Sequence, residues 1–245
     1  MIKNKSKVPE ISVIVSCFNH EKWIERCLRS LLLQEYIKHS DYEVIIIDDC
    51  STDNSLNEIE KIKVLFDDIV VIKHKKNLGK GAAIKSSKNY ISGDIVVIQD
   101  ADLEYEPEDI LKLIKPIINK ECLVVYGSRV LNKNYFENIQ NFSHWFRILG
   151  NVFLTKLSNL INNQNLTDAH TCYKMIRARL FKKLNLREKG FAFCPEVTTK
   201  LSKMNCKIYE ISISYNGRTY SDGKKITSID GLIALISLIK YRLLD

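Results

Sequence analysis

Residues 95–102 read Ile95-Val96-Val97-Ile98-Gln99-Asp100-Ala101-Asp102, an apolar run that stops abruptly at two carboxylates spaced i, i+2. A run of this length bounded by a polar loop has the pattern of a buried strand. Anions at the tip of such a strand are costly to desolvate unless something positive holds them, and a hard cation with oxygen ligands is the natural partner. Glu104 continues the alternation, and Pro107-Glu108-Asp109 reads as the start of the next helix, with proline at its first position and acids in its first turn. Asp100, Asp102 and Glu104 therefore fall at a strand's carboxyl end, where open α/β sheets bind ligands. The same residues also suit a turn or an Asx cap, so the choice rests on what surrounds them.

Working outward, β-branched runs at Ile11–Val15, Glu43–Ile47, Ile69–Ile72 and Asp94–Ile98 alternate with helical patterns at about Glu21–Leu33, Ser55–Leu65 and Gly81–Ile91. This βαβα rhythm predicts an α/β fold, a mostly parallel sheet flanked by helices. Asn19 is placed to cap the first helix, Ser51-Thr52-Asp53 the second, and residues 77–81 supply a turn before the third. After a strand at Leu123–Tyr126 the rhythm loosens, with a helix expected around Phe146–Leu160 and a strand near Lys207–Ile213. No repeat or low-complexity linker divides the chain, so one domain is expected over residues 10–245 behind a polar tail of residues 1–9. The last segment, about 226–244, is rich in Ile and Leu around most of a helical circumference, with Lys240 and Arg242 near its end. It suits three settings: core, contact with a second copy in a homodimer, or an amphipathic helix lying on a membrane surface.

The chain has 245 residues, 45% of them hydrophobic, which is ample for a packed core. Its lysine-rich start lacks the apolar centre of a signal peptide and no run approaches the length of a membrane span, so a cytoplasmic protein is expected, peripheral to the membrane at most. Seven cysteines without a C-x-x-C pair argue against a disulfide framework or a zinc site and read as reduced core residues. A net charge of +8 is compatible with nucleic acid, an anionic membrane or a phosphate-bearing ligand. Clustered aromatic and basic residues on one strand face, the mark of single-strand binders, are missing, so no nucleic-acid partner is expected.

Several blocks carry further chemistry. Asp48 and Asp49 end the second strand, where a carboxylate accepts hydrogen bonds from a ribose or base. Gly79 and Gly81 allow close backbone approach, with Lys80 adding charge between them. Arg218, Lys224 and Lys225 surround Gly217 and Gly223 and are suited to grip a pyrophosphate. Each of these also has an ordinary reading as a turn, a cap or a solvated loop.

Taken together, residues 13–21 (Val13 to Glu21), Ile47-Asp48-Asp49-Cys50-Ser51-Thr52-Asp53, Asn77-Leu78-Gly79-Lys80-Gly81-Ala82-Ala83 and Gln99-Asp100-Ala101-Asp102 resemble the family-2 glycosyltransferases of the GT-A fold. The second half resembles the dolichol-phosphate mannosyltransferase-like branch through Gly127-Ser128-Arg129, Thr167-Asp168-Ala169-His170-Thr171-Cys172-Tyr173-Lys174, Phe193-Cys194-Pro195-Glu196 and the stretch from Ser214 to Ile226. The resemblance implies an inverting transfer from a nucleotide-diphosphate sugar, either GDP-mannose or a UDP-sugar. It places Ser16, Phe18, Asn19, Glu21, Asp49, Gly79, Lys80, Asp100, Ala101, Arg218, Lys224 and Lys225 around that donor. It further implies Mg²⁺ or Mn²⁺ held by Asp100, Asp102 and Glu104, and an acceptor phosphate met by Arg129 with help from Arg147. Two positions depart from the family pattern: Phe18 stands where tyrosine is usual, with no proline at Ser16 or Cys17, and His170 stands where the branch often has glutamate.

Loss of a diphosphate leaves negative charge on its oxygens, which a cation and Arg218 and Lys225 would offset. A hydroxyl acceptor needs a base, for which Asp168 and Glu196 are the candidates, whereas a polyprenyl phosphate arrives anionic and needs chiefly positioning by Arg129. The lipid phosphate is the favoured acceptor, a saccharide hydroxyl the alternative. Nucleotidyl transfer lacks its expected Gly-rich basic first loop, and the Gln-x-x-Arg-Trp motif of processive synthases is missing.

Overall fold

The structure is a computed structural model that describes residues 10–34, 41–66, 69–132, 135, 142–218 and 228–244. The tail of residues 1–9 and the candidate residues Lys224 and Lys225 lie outside the described residues.

The central run forms strand β4 (Ile95–Asp100), its first five residues buried. It lies beside β1 (Ile11–Cys17), which in turn pairs with β2 (Tyr42–Asp48), and β2 with β3 (Ile69–Lys73), all parallel. Each of these strands is an apolar run because helices cover the sheet, and a fully buried Val or Ile contributes roughly 1.5–3 kcal/mol. The connections are α1 (Ile24–Leu32), α2 (Ser55–Leu65) and α3 (Lys80–Ser86), the last extended by a 3₁₀ turn at Ser87–Asn89. The expected βαβα half is therefore present, with strand ends one or two residues longer than their patterns.

Beyond β4 the chain runs through α4 (Asp109–Ile118), β5 (Val124–Ser128), α5 (Phe142–Asn162), β6 (Lys174–Arg177), α6 (Ala178–Lys183), α7 (Phe193–Lys203), β7 (Tyr209–Ser212) and α8 (Ser228–Leu243). The sheet order is β3-β2-β1-β4-β6-β5-β7, with β6 antiparallel to both neighbours. The chain reverses its direction of travel across the sheet between β1 and β4, so a crevice opens at their carboxyl ends, where Ser16 is in register with Asp100. Because β6 is antiparallel, the loop entering it, residues 168–173, arrives at that same edge of the sheet.

Three local expectations need correction. The first helix begins at Ile24, because Asn19 adopts a left-handed conformation (φ 53°) and its amide is used across loops rather than as a cap. The second spans Ser55–Leu65 as expected, but its N-cap position is Asn54, with Asp53 accepting the Ser55 N–H. Pro107 precedes α4, whose N-cap is Glu108. In the last helix, Ala234, Leu238 and Tyr241 are buried and α8 packs on α5 and α7, while Ile229, Leu232, Ile233, Ile236 and Ile239 are exposed. All seven cysteines are free, five of them buried. No helix among the described residues is long and apolar enough to cross a membrane.

Candidate active site

A cavity of about 560 Å³ occupies the carboxyl edge of the sheet. Most of the candidate residues meet in its wall: Ser16, Phe18, Asp49, Gly79, Lys80, Asp100, Ala101, Asp102, Glu104, Arg129, Arg147 and Arg218. They come from the ends of β2, β1 and β4, the start of α3, the loop after β5, α5 and the segment after β7. Phe146, Leu154 and Ala234 bring α5 and α8 into the same wall.

At the β2 end, Asp49 is buried and its carboxylate organises the turn before α3. Oδ1 accepts the Leu78 N–H at 2.9 Å and Oδ2 the Gly79 N–H at 2.7 Å. Gly79 has φ 92°, and a Cβ there would stand 2.5 Å from the Lys189 carbonyl oxygen, so the turn needs glycine on two counts. Asn19 and Glu21 are not in the cavity wall. Asn19 accepts the Thr52 N–H through Oδ1, Glu21 accepts that of Asn54, and Asp53 accepts that of Glu21, so these side chains tie the loop after β1 to the loop after β2.

At the β4 tip the expected carboxylate trio separates into two groups. Asp100 pairs with Lys80 at 2.5 Å. Burial alone would raise its pKa, yet the Lys80 charge holds it below the usual carboxylate range. Lys80 is correspondingly raised well above the lysine norm: burial lowers it, and Asp100 more than compensates. Asp102 and Glu104 turn instead to Arg218, at 2.5 and 3.3 Å. Burial, then the neighbouring charges of Asp100 and Glu104, push Asp102 up to about 7 despite Arg218. Among the described residues no three His, Cys, Asp or Glu side chains converge as a metal cage. Of the three carboxylates named for a metal, Asp100 pairs with Lys80 and the other two with Arg218, while Asp100 stays near enough to Asp102 to raise its pKa. Asp102 and Glu104 still offer oxygens of an over-negative pair in the cavity wall, a donor set that suits a hard cation completed by phosphate oxygens.

Around these groups stands an aromatic cluster. The Tyr215 hydroxyl donates to Glu104 at 2.8 Å, its ring lies 5.4 Å from that of Tyr105, and the Arg129 guanidinium sits 5.0 Å from its centroid. Arg129 is held by Asp168 at 2.6 Å. Asp168 also accepts from Asn151 at 3.1 Å, and its pKa falls to about 2: burial opposes this, and Arg129 overrides it. Asp168 is fully buried and not part of the cavity wall. Neither is Glu196, whose carboxylate accepts the Arg187 N–H at 2.6 Å, the Glu188 N–H at 2.9 Å and Lys200 at 2.8 Å. Both carboxylates proposed as bases are therefore placed behind the cavity, fully engaged by the chain itself. They stood out in sequence as the carboxylates of the two blocks that resemble the family branch, a signal that buried ion pairs and loop anchors share with catalysis.

The wall also includes residues that the sequence did not single out, notably Tyr105, Asn151, Phe191 and Asp230. Asp230, an acid in the otherwise apolar start of α8, carried the only visible signal. His170 lines the cavity as well; its Nε2 is enclosed without a hydrogen-bond partner among the described residues, and burial lowers its pKa to about 4.

The seven-stranded sheet carries its cavity at the switch point, and the chain belongs to glycosyl transferase family 2, whose profile matches residues 12–185. It is a glycosyltransferase. It is 29% identical over 228 residues to the UDP-N-acetylglucosamine–dolichyl-phosphate N-acetylglucosaminyltransferase of Methanococcus voltae, covering 86% of this chain and 87% of that one. It is 28% identical over 254 residues to a dolichyl-phosphate beta-glucosyltransferase of Trichomonas vaginalis, covering 95% and 74%. Among solved structures, glucosyl-3-phosphoglycerate synthase from Mycobacterium tuberculosis in complex with Mn²⁺ and UDP-glucose superposes with a TM-score of 0.69 at 19% identity, over 96% of this chain and 79% of that one. That likeness establishes the GT-A fold.

Proposed function

We propose that this enzyme transfers a sugar from a nucleotide-diphosphate sugar to the phosphate of a polyprenyl lipid, by a single displacement that inverts the anomeric centre. The observation that carries this reading is the make-up of one cavity. It has carboxylates and Lys80 at the β1–β4 end, Arg129 and Arg147 after β5, and apolar side chains of α5 and α8 in the remaining wall. A charged donor and an acceptor with an anionic head and a hydrocarbon tail fit that division. The relatives named for dolichyl-phosphate transfer support it.

In this reading Ser16, Phe18 and Asp49 bound the nucleoside, with Asn19 and Glu21 supporting their loops from outside. Asp102 and Glu104 would hold Mg²⁺ or Mn²⁺ together with the donor's phosphate oxygens, since magnesium sites commonly use one or two carboxylates plus substrate phosphates. Such an ion supplies positive charge where the leaving diphosphate gains negative charge. Lys80 and Arg218 add preorganised donors to the same oxygens. Arg129, already oriented by Asp168, receives the acceptor phosphate, and Arg147 adds a second charge from α5. An anionic phosphate attacks without a base, which agrees with Asp168 and Glu196 lying behind the cavity. The exposed faces of α5 (Phe146, Leu149, Phe153) and α8 (Ile229, Leu232, Ile236) would rest on the membrane from which the lipid is drawn.

A saccharide hydroxyl is the second reading, favoured by Asp230, a carboxylate in the cavity wall on α8. Incubation with labelled UDP-glucose, UDP-N-acetylglucosamine or GDP-mannose, Mn²⁺, and either polyprenyl phosphate or soluble sugars separates the two. Label entering the organic phase supports the first reading; label entering only a soluble glycan replaces it with the second.

A further inference from the structure

His74 follows β3 and lies outside the cavity wall, in a lysine-rich stretch with no catalytic motif of its own. Its side chain is nonetheless only 8% exposed. Nδ1 stands 2.6 Å from Asp49 Oδ1 and Nε2 stands 2.8 Å from the Ser86 hydroxyl on α3. A carboxylate that already accepts two backbone N–H groups presents acceptors only, so the Nδ1 position carries the proton. The His74 backbone N–H is bound in turn to the Asp48 carbonyl at 2.9 Å, which fixes the ring's origin beside the strand that bears Asp49.

Asp49 therefore receives three hydrogen bonds from the chain. Oδ1 takes His74 and Leu78, and Oδ2 takes Gly79. Of roughly four lone-pair positions on a carboxylate, one on Oδ2 remains. We propose that His74 is a positioning residue for the donor nucleotide: by locking Asp49 it leaves a single acceptor in the nucleoside end of the cavity, which selects a base presenting a ring N–H. Uracil and guanine present one; cytosine and adenine place a bare ring nitrogen at the corresponding edge and would face the carboxylate lone pair with their own. This inference rests on the donor-site reading above and adds to it a residue that touches no substrate.

The His74 contacts allow a test in which one substitution restores what another removes. Asparagine can place its amide N–H near the Nδ1 position, whereas glutamine reaches toward Nε2, and leucine keeps bulk alone. Titration calorimetry of the full chain with UDP, GDP, CDP and ADP in Mn²⁺ is the readout, with thermal melting alongside. The wild type should bind UDP or GDP at least about tenfold more tightly than CDP or ADP. His74→Leu and His74→Gln should weaken the preferred nucleotide by about ten- to a hundredfold while changing CDP little, so that discrimination narrows. His74→Asn should stay near wild type. Equal losses for UDP and CDP, or unchanged binding in His74→Leu, would overturn the positioning role. Failure of the wild type to bind any of the four would overturn the donor-site reading itself.

Discussion

Arg129 donates to Asp168 from Nε at 2.6 Å, from Nη2 at 2.9 Å and from its backbone N–H at 3.2 Å. Removing one partner of a buried pair leaves the other uncompensated, at a cost of about 3–5 kcal/mol. Asp168→Asn should lose stability of that order in urea unfolding. The Asp168 pKa of about 2 lies below its ordinary value, so the wild-type pair stabilises the fold above about pH 4 and the contribution drains away as pH falls toward 2. The variant should lack that acid-side slope.

Glu196 anchors residues 187–188, and the adjoining Lys189 carbonyl accepts the Ala82 N–H at 3.1 Å against the Gly79 turn. A methyl group at Gly79 meets both a left-handed φ and backbone 2.5 Å away. Gly79→Ala should cost about 1–3 kcal/mol in thermal or urea melts and weaken nucleotide binding beyond that. An unperturbed variant would mean that the 185–190 loop yields freely.

His170 is neutral in the fold because burial, and secondarily Lys174, lower its pKa to about 4. The unfolded chain binds a proton below about 6.5, so stability should decline as pH falls from 6.5 to 4 and level off beneath. His170→Gln should flatten that window in melting curves taken across it, while the slope below pH 4 due to Asp168 persists.

Phe153 on α5 and Ile236 on α8 are 62% and 57% exposed. Each apolar side chain withdrawn from water contributes about 1.5–3 kcal/mol, so Phe153→Asp with Ile236→Asp should lower sedimentation with anionic phospholipid vesicles by at least about tenfold. Transfer to a short-chain, soluble polyprenyl phosphate should be affected far less.

Strands β1, β2 and β4 were legible because a strand covered on both faces must be apolar throughout, and their loops carried the donor-site motifs. Strand β6 was not: Lys174 breaks its apolar pattern, yet the side chain is fully buried with its ammonium 3.7 Å from the Tyr126 ring centroid. Helix α7 was masked by Pro195 in its first turn and by Glu196 and Lys200, charges that satisfy each other inside the fold. Residues that line a cavity from loops at strand ends show in sequence as polar groups after apolar runs. Residues that hold those groups in place, His74 above all, look like any solvated side chain until tertiary structure brings them together.

The central claim is that Asp102, at the β4 tip, governs departure of the nucleotide. Its most direct measurement is the initial rate at which label passes from a nucleotide-sugar into polyprenyl phosphate with Mn²⁺, for wild type and Asp102→Asn side by side with donor affinity. Losing one electrostatic group aimed at developing charge typically slows turnover by about a hundred- to a thousandfold. A drop of that size in a folded variant is predicted, and an unchanged rate would contradict the account.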